Sequence, residues 1–389
     1  MEHLSNIPSI ESLLDSLRHD PELIHCIGIG QAERAYVTAR LIRAIQKTII
    51  VVLPSLKTCE EFCDNLRFFS DTHMPETVLF PAYNILPFKR TSYNSATAAQ
   101  RIHTLYGLGD GNVPKIIVTP VETLFQRLIP RKMLRDYAEL IMCGEDIDRD
   151  DLVAKLHSGG YTHVTLVEDY GEYSVRGGII DIFSPMYPEP LRIELAGDTV
   201  DSIRFFSSAT QRTTGNLSEA VILPAREAVL EKSRIGDAVL HIRQMVGENG
   251  LSQKHADEFI DRIRREGVFP GIESLLPLVY SSLDTFFDYA PQGALWIQAD
   301  PGEVEKAALF AEDQAIKNYV TASQDDRLCV DPETIYLKWS AAKMELARHL
   351  QLTFRLLLPV TKENEKPPVQ IFFSSQDNTE IAADLLNEK

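Results

Sequence analysis

No run of about 18 or more consecutive apolar residues occurs anywhere in the sequence, so no membrane-spanning helix is expected. A basic-then-apolar leader is missing too, since Met1-Glu2-His3 opens directly into polar, amphipathic sequence. The expectation is a globular protein of the cytoplasm with no membrane partner. Cysteine is scarce: Cys26, Cys59, Cys63, Cys143 and Cys329 are odd in number and irregularly spaced, which suits reduced thiols and argues against a disulfide framework. Cys59 and Cys63 lie one turn apart on a predicted helix, but no histidine or second cysteine pair follows at zinc-ligand spacing. They read as half-buried helix residues, and no metal is expected. Basic charge is also short, with 39 Lys and Arg against 56 Asp and Glu and a net charge of −17. Such a chain has no general attraction for a phosphate backbone, so if it works on DNA something else must hold the DNA. Internal repeats and low-complexity tracts are absent.

What is present is enough apolar sequence, 44% of 389 residues, to divide into two or three domains. From Leu23 to Leu128 apolar strands (Ile24–Ile29, Thr48–Leu53, Thr77–Phe80, Lys115–Val118) alternate with amphipathic helices near Gln31–Ala44 and Leu56–Phe69. Strands separated by helices predict a parallel, doubly wound sheet, where a nucleotide site would be expected. From about Ala138 the pattern changes. Leu140–Met142 reads as a strand, Asp148 caps a helix through Leu156, and Gly159-Gly160 stops it. Further on, Ala225–Glu266 reads as charged helix, Phe269–Asp288 holds a Pro270-Gly271 turn, and Ala294–Gln298 reads as a buried strand. Gly302–Leu350 is predicted largely helical, with a break around Asp325–Asp331. Thr361–Pro368 reads as a polar linker before a strand at Val369–Phe373 and a helix at Asn378–Asn387.

Between Asp169 and Thr213 the apolar residues alternate in Gly178–Phe183, Leu191–Leu195 and Val200–Phe205, with a tight turn at Gly197-Asp198. This period-2 pattern predicts a compact antiparallel sheet. Arg176 and Arg192 fall on its polar phase, and Gly177-Gly178 permits a bulge or close backbone approach beside Arg176. Taken alone, both arginines read as surface cations paired with Glu172, Glu194 or Asp198 at small energetic value.

Two nucleotide motifs can be laid on the chain, and both are broken. Gly28-Ile29-Gly30-Gln31-Ala32-Glu33-Arg34-Ala35 follows the phosphate-loop pattern only at Gly28. Glu33 replaces the second glycine and adds like-charge repulsion, Arg34 replaces the lysine, and Ala35 removes a magnesium-ligating hydroxyl. A metal-binding acidic strand end would fall at Leu295–Gly302, where Ala299 occupies the aspartate position and Asp300 follows. Asp257-Glu258 has no apolar strand before it and reads as a solvated helix face. The expectation is a strand-to-helix connection that binds nothing.

Several separated blocks carry a resemblance. Phe80–Phe88, Ile117–Val121, Gly171–Gly178, Arg192–Glu194, Thr210–Arg212, Gly271–Glu273 and Phe287–Tyr289 occur in order, and together they resemble the N-terminal part of the bacterial transcription-repair coupling factors. The first domains of that family are similar to the excision-repair helicase UvrB. The resemblance implies an α/β fold: a degenerate helicase-like (P-loop, RecA-like) parallel-sheet domain, an inserted small α+β domain containing an antiparallel sheet, and a largely helical companion region. The implied division is 1–136 for the α/β domain with its degenerate nucleotide site, 137–223 for the inserted docking domain, 224–350 for the helical remainder, and 351–389 for a linker and the truncated start of a further α/β domain.

It also implies a non-enzymatic adaptor that recruits UvrA, with the contact arginines falling on Arg176 and Arg192. Ala196 stands where the family has an aromatic residue, which implies a weaker or rearranged contact. Arg204 and Arg212 are ambiguous. Glu33, Arg34, Ala35, Ala299 and Asp300 stand where UvrB keeps an intact site, so no cofactor is expected here; ATP and magnesium belong to the motor of the full-length relatives. RNA polymerase and DNA are expected to be bound by parts of those relatives beyond this sequence. UvrB's aromatic hairpin is replaced by a short segment in which Tyr83, Phe88 and Tyr93 are expected to pack back on the body. The alternatives are an active UvrB-like ATPase that binds damaged DNA, and a remnant with no partner.

Overall fold

Short apolar runs alternating with amphipathic helices do build the expected parallel sheet. The computed structural model describes residues 8–19, 23–70, 74–83, 94–109, 113–232, 235–249, 252–269, 271–325, 328–357 and 369–373. In the first part, α1 (Pro8–His19) precedes β1 (Ile24–Ile27), α2 (Gln31–Ile45), β2 (Ile49–Leu53), α3 (Leu56–Phe68), β3 (Thr77–Leu79), α4 (Ser95–Leu108) and β4 (Ile116–Pro120). Then come α5 (Glu122–Phe125), β5 (Arg127–Leu128) and α6 (Arg131–Tyr137). A second group holds β6 (Glu139–Met142), α7 (Arg149–Ser158), β7 (Thr162–His163), β8 (Glu172–Arg176), β9 (Ile179–Ile182), β10 (Leu191–Ala196), β11 (Thr199–Phe206), β12 (Thr213–Leu217) and β13 (Glu219–Ile222). The third contains α8 (Ile235–Asn249), α9 (Gln253–Glu266), α10 (Leu276–Val279), β14 (Asp284–Thr285), α11 (Phe286–Tyr289), β15 (Leu295–Ala299) and α12 (Pro301–Gln324). After α13 (Pro332–Ile335) and α14 (Trp339–His349), the chain closes with β16 (Leu350–Arg355) and β17 (Val369–Phe372).

Seven parallel strands form the body in the order β17-β1-β16-β15-β2-β4-β3. Because successive strand residues face opposite ways, Ile50, Val52, Ile117 and Trp296 feed one core, while Ile49, Val51, Ile116, Val118, Leu295 and Ile297 feed the other. Helices α1 to α3 cover the second of these; α4, α8, α9, α12 and α14 contribute to the first. Every residue of β2 and β15 is buried, and each large side chain there stabilises the fold by roughly 1.5–3 kcal/mol relative to exposure. Local signals fix the helix starts: Ser55 and Thr58 form a reciprocal capping box on α3, and the Asn94 carboxamide caps α4.

One expectation is corrected by the end of the chain. Residues from 351 do not begin a separate unit, because β16 is an interior strand of the body sheet and β17 its edge, with β1 paired between them. The alternation of Leu350-Gln351-Leu352-Thr353-Phe354-Arg355 is a strand signal, and Leu352 and Phe354 are fully buried. The expected linker at 361–368 and helix at 378–387 lie outside the described residues, as does Pro270.

The second group folds around its own core. A six-stranded sheet runs β12-β11-β10-β9-β8-β7, antiparallel except for the short β7–β8 pair. Its inner face packs with α7 and the β6–β13 ribbon through Ile141, Leu152, Leu156, Ile180, Ile182, Leu191 and Ile193. The Asp148 carboxylate accepts from the backbone of Asp150 and Asp151 and so caps α7 as expected. Gly177-Gly178 links β8 to β9 in a hairpin; Gly177 has φ +62°, and a Cβ on Gly178 would lie 2.7 Å from the Leu195 carbonyl oxygen. The expected close backbone approach beside Arg176 is therefore made against β10.

Where this group returns to the body, consecutive side chains enter two buried ion pairs. Arg226 donates to Glu273 at 3.0 Å, and Glu227 accepts from Arg101 of α4 at 2.6 Å. Arg101 is wholly buried, lies 4.6 Å from the Phe80 ring centroid and 4.1 Å from that of Tyr83, and also donates to the Pro81 carbonyl. The Tyr83 hydroxyl donates to Glu227 at 2.8 Å, so this aromatic packs back on the body. Phe88 and Tyr93 lie outside the described residues.

Candidate functional sites: a strand-end ion pair and an arginine-bearing sheet face

The carboxyl ends of β1, β15 and β16 bring both broken motifs together. Only Gly28, Ile29 and Gly30 separate β1 from α2, so Glu33, Arg34 and Ala35 lie inside the helix rather than in a loop. Gly28 adopts φ +76°, and a Cβ there would meet the Phe373 carbonyl oxygen at 2.5 Å, because the end of β17 runs alongside. The Ile29 N–H donates to the Arg355 carbonyl at 3.2 Å. Glu33 folds its carboxylate back over Gly30, 2.7 Å from where a Cβ would stand. Ala35 is fully buried in the body core.

Arg34, largely buried, reaches across the sheet end to Asp300. Its Nη1 and Nη2 donate to Oδ2 and Oδ1 at 2.5 and 2.7 Å, and its Nε donates to the Ile29 carbonyl at 3.2 Å. This is a fork-to-fork pair of the kind only arginine makes. Asp300 immediately precedes α12, yet its side chain does not cap that helix. Its φ of +48° is a left-handed conformation uncommon outside glycine. Ala299 is fully buried.

Beside this pair, His25 Nδ1 lies 2.6 Å from Thr353 Oγ1, which also accepts from Arg355 Nε at 3.3 Å. Burial first, and the Arg355 charge second, push the His25 imidazole down to about 4. An unfolded imidazole titrates near about 6.5, so between these values the unfolded chain holds more protons and stability rises with pH. Stability is therefore expected to fall as pH drops from about 6.5 toward about 4. Urea unfolding of His25→Gln should show a shallower decline in that window, and an unchanged profile would refute the assignment.

The second site is the outer face of the antiparallel sheet. Asp181 on β9 stands in register with Ser174 of β8 and Arg192 of β10, and Arg192 stands opposite Arg204 of β11. Arg192 donates through Nε and Nη2 to the two Asp181 oxygens at 2.7 and 2.9 Å, and Arg176 donates through Nη2 at 2.5 Å. Arg192 also lies 4.6 Å from the ring centroid of buried Phe206. The Asp181 side chain is 1% exposed, Arg192 18% and Arg176 50%. The hydrogen bonds it donates to Asp181 hold the Arg192 guanidinium above its usual range. Arg204 makes a separate pair with Glu194 at 3.1 and 3.2 Å, and Ala196 is exposed at the end of β10.

The expected arginine partners are corrected here. Glu194 pairs with Arg204, and Glu172 accepts from the backbone of Glu168 and Asp169. The partner is Asp181, whose signal was its place on the polar phase between the inward Ile180 and Ile182.

These features define a class: a chain in which a UvrB interaction domain, matched over residues 140–227, is carried on a parallel α/β body. The chain resembles the N-terminal, UvrB-like part of the bacterial transcription-repair-coupling factors. It is 30% identical to the transcription-repair-coupling factor of Myxococcus xanthus over 93% of this chain and 31% of that protein. For the factor of Haemophilus influenzae the figures are 27% identity over 80% of the chain and 26% of the relative; for that of Escherichia coli they are 28%, 75% and 25%. The chain thus spans about a third or less of the length of these relatives.

Proposed function

We propose that this chain is a non-catalytic adaptor module that docks UvrA on the outer face of its antiparallel sheet, and that in a longer protein it recruits UvrA to stalled RNA polymerase. The observation that carries the reading is the pair of arginines, Arg176 and Arg192, raised on that face within the stretch matched to the UvrB interaction domain. Arginine suits a docking surface because its planar fork recognises carboxylates. Ala196 offers only a methyl group where the family has an aromatic, so the contact is smaller at that corner.

The strand-end site supports the non-catalytic part, and a degenerate helicase-like domain is the reading of the body. Its residues do not fit a magnesium-bound triphosphate. The Glu33 carboxylate already occupies the start of α2, where a phosphate would bind the helix dipole. The Arg34 guanidinium is committed to Asp300, the acidic residue that follows the aspartate position of the second motif, and the hydroxyl position is a core alanine. DNA and RNA polymerase contacts are assigned to the further length of the relatives.

Two measurements test this on the purified chain. Capture of purified UvrA is expected, and its absence refutes the docking role. ATP hydrolysis at background level is expected with and without DNA, both for the wild type and for Arg34→Lys. Turnover that disappears on changing Arg34 would establish an active UvrB-like ATPase instead.

A further inference from the structure

Asp181 is the least exposed member of the arginine cluster and the only one that touches both of the others. It stands in the middle strand of three, with Ile180 and Ile182 buried on the opposite face and Arg192 beside it in register. At 1% exposure its carboxylate is out of a partner's reach. It lies on the face opposite Ile180 and Ile182, with Ser174 in register beside it, and both arginines donate to its carboxylate. Two guanidinium groups drawn together would repel; one carboxylate shared between them removes that cost and orients both. Arg192 commits two of its five N–H donors to Asp181, and Arg176 commits one.

We infer that Asp181 is a positioning residue for partner docking: it aligns Arg176 and Arg192 as one preorganised, singly positive unit for a carboxylate-bearing surface on UvrA. This rests on the docking reading above. A carboxylate that merely neutralised the arginines would weaken attraction to an acidic partner, so its removal would tighten binding. A positioning carboxylate has the opposite sign, because freed arginines pay ordering entropy on binding that fixed ones do not.

The test is UvrA affinity of the purified chain carrying Asp181→Asn, alone and combined with Arg176→Ala, in a double-mutant cycle. Asp181→Asn is expected to weaken binding about tenfold, within the coupling range for contacting residues. The loss should shrink when Arg176 is already alanine, because one of the two aligned groups is gone. Equal or tighter binding by Asp181→Asn overturns the inference, and so does an equal loss in both backgrounds, which would mark a general effect on the fold. A wild-type chain that binds no UvrA overturns the docking reading and this inference with it. If Asp181→Asn lacks native circular dichroism, Arg192→Lys makes the same test, since lysine keeps the charge but cannot span both carboxylate oxygens. Undiminished binding by Arg192→Lys overturns the proposal.

Discussion

Glu227→Gln is expected to lower the unfolding free energy by about 3–5 kcal/mol, the cost of stranding one member of a buried ion pair. The side chains of Arg101 and Glu227 are 0% and 2% exposed, so neither can recover its lost partner from water. Glutamine keeps the volume and one acceptor, which isolates the charge. Arg101 would retain the Pro81 carbonyl and the faces of Phe80 and Tyr83, but its Nη2 already lacks a hydrogen-bond partner. Chemical denaturation at fixed pH reads the loss as a shift in midpoint with unchanged slope. The paired replacement Arg101→Met/Glu227→Leu should lose less than the single change, since an apolar pair carries no desolvation cost. A single variant within about 1 kcal/mol of wild type, the range of exposed pairs, would show that the pair is solvated in solution.

The second large effect concerns partner binding. Arg176→Ala/Arg192→Ala is expected to weaken UvrA capture by at least about 30-fold, the equivalent of roughly 2 kcal/mol and the threshold of an interface hot spot. Arg192 needs a control, because its removal leaves the buried Asp181 with Arg176 alone as counter-charge and so costs stability. Arg176→Ala is the cleaner variant, since half of that side chain is exposed and the Arg192–Asp181 fork remains. It should weaken capture about tenfold while leaving thermal unfolding unchanged within a degree or two, as expected for a surface substitution. Retained capture by the double variant, with a native circular dichroism spectrum, would move the docking site elsewhere on the sheet.

Much of this architecture was legible because it is local. Ile49–Leu53 and Leu295–Ala299 declare buried strands by apolar content alone, Asp148 declares a cap, and Gly197-Asp198 a hairpin turn. The face on which Arg176 and Arg192 stand also follows from strict alternation. What escaped were pairings set by tertiary structure. Arg34 and Asp300 are 266 positions apart, and nothing in either neighbourhood announces the other. Glu227 likewise meets Arg101 and Tyr83 only because the chain returns past α4 after the inserted sheet. Asp181 was visible on the polar phase, yet surface acids nearer in sequence competed for the same arginines. β16 was hidden for a different reason: its six residues follow directly on α14, with no glycine or proline to mark the change of period.

The position of β1 bears on the order in which the protein can assemble during synthesis. Its two neighbours, β16 and β17, are among the last elements described, so a strand made near the start has no backbone partner until residues 350–372 have emerged. The antiparallel sheet needs only residues 162–217 for its strand ladder, and the β6–β13 ribbon with Ala225 completes its core. On a ribosome the antiparallel sheet can therefore fold while the body sheet is still open, with Ile24–Ile27 exposing an unsatisfied apolar edge until residues 350–372 have been made.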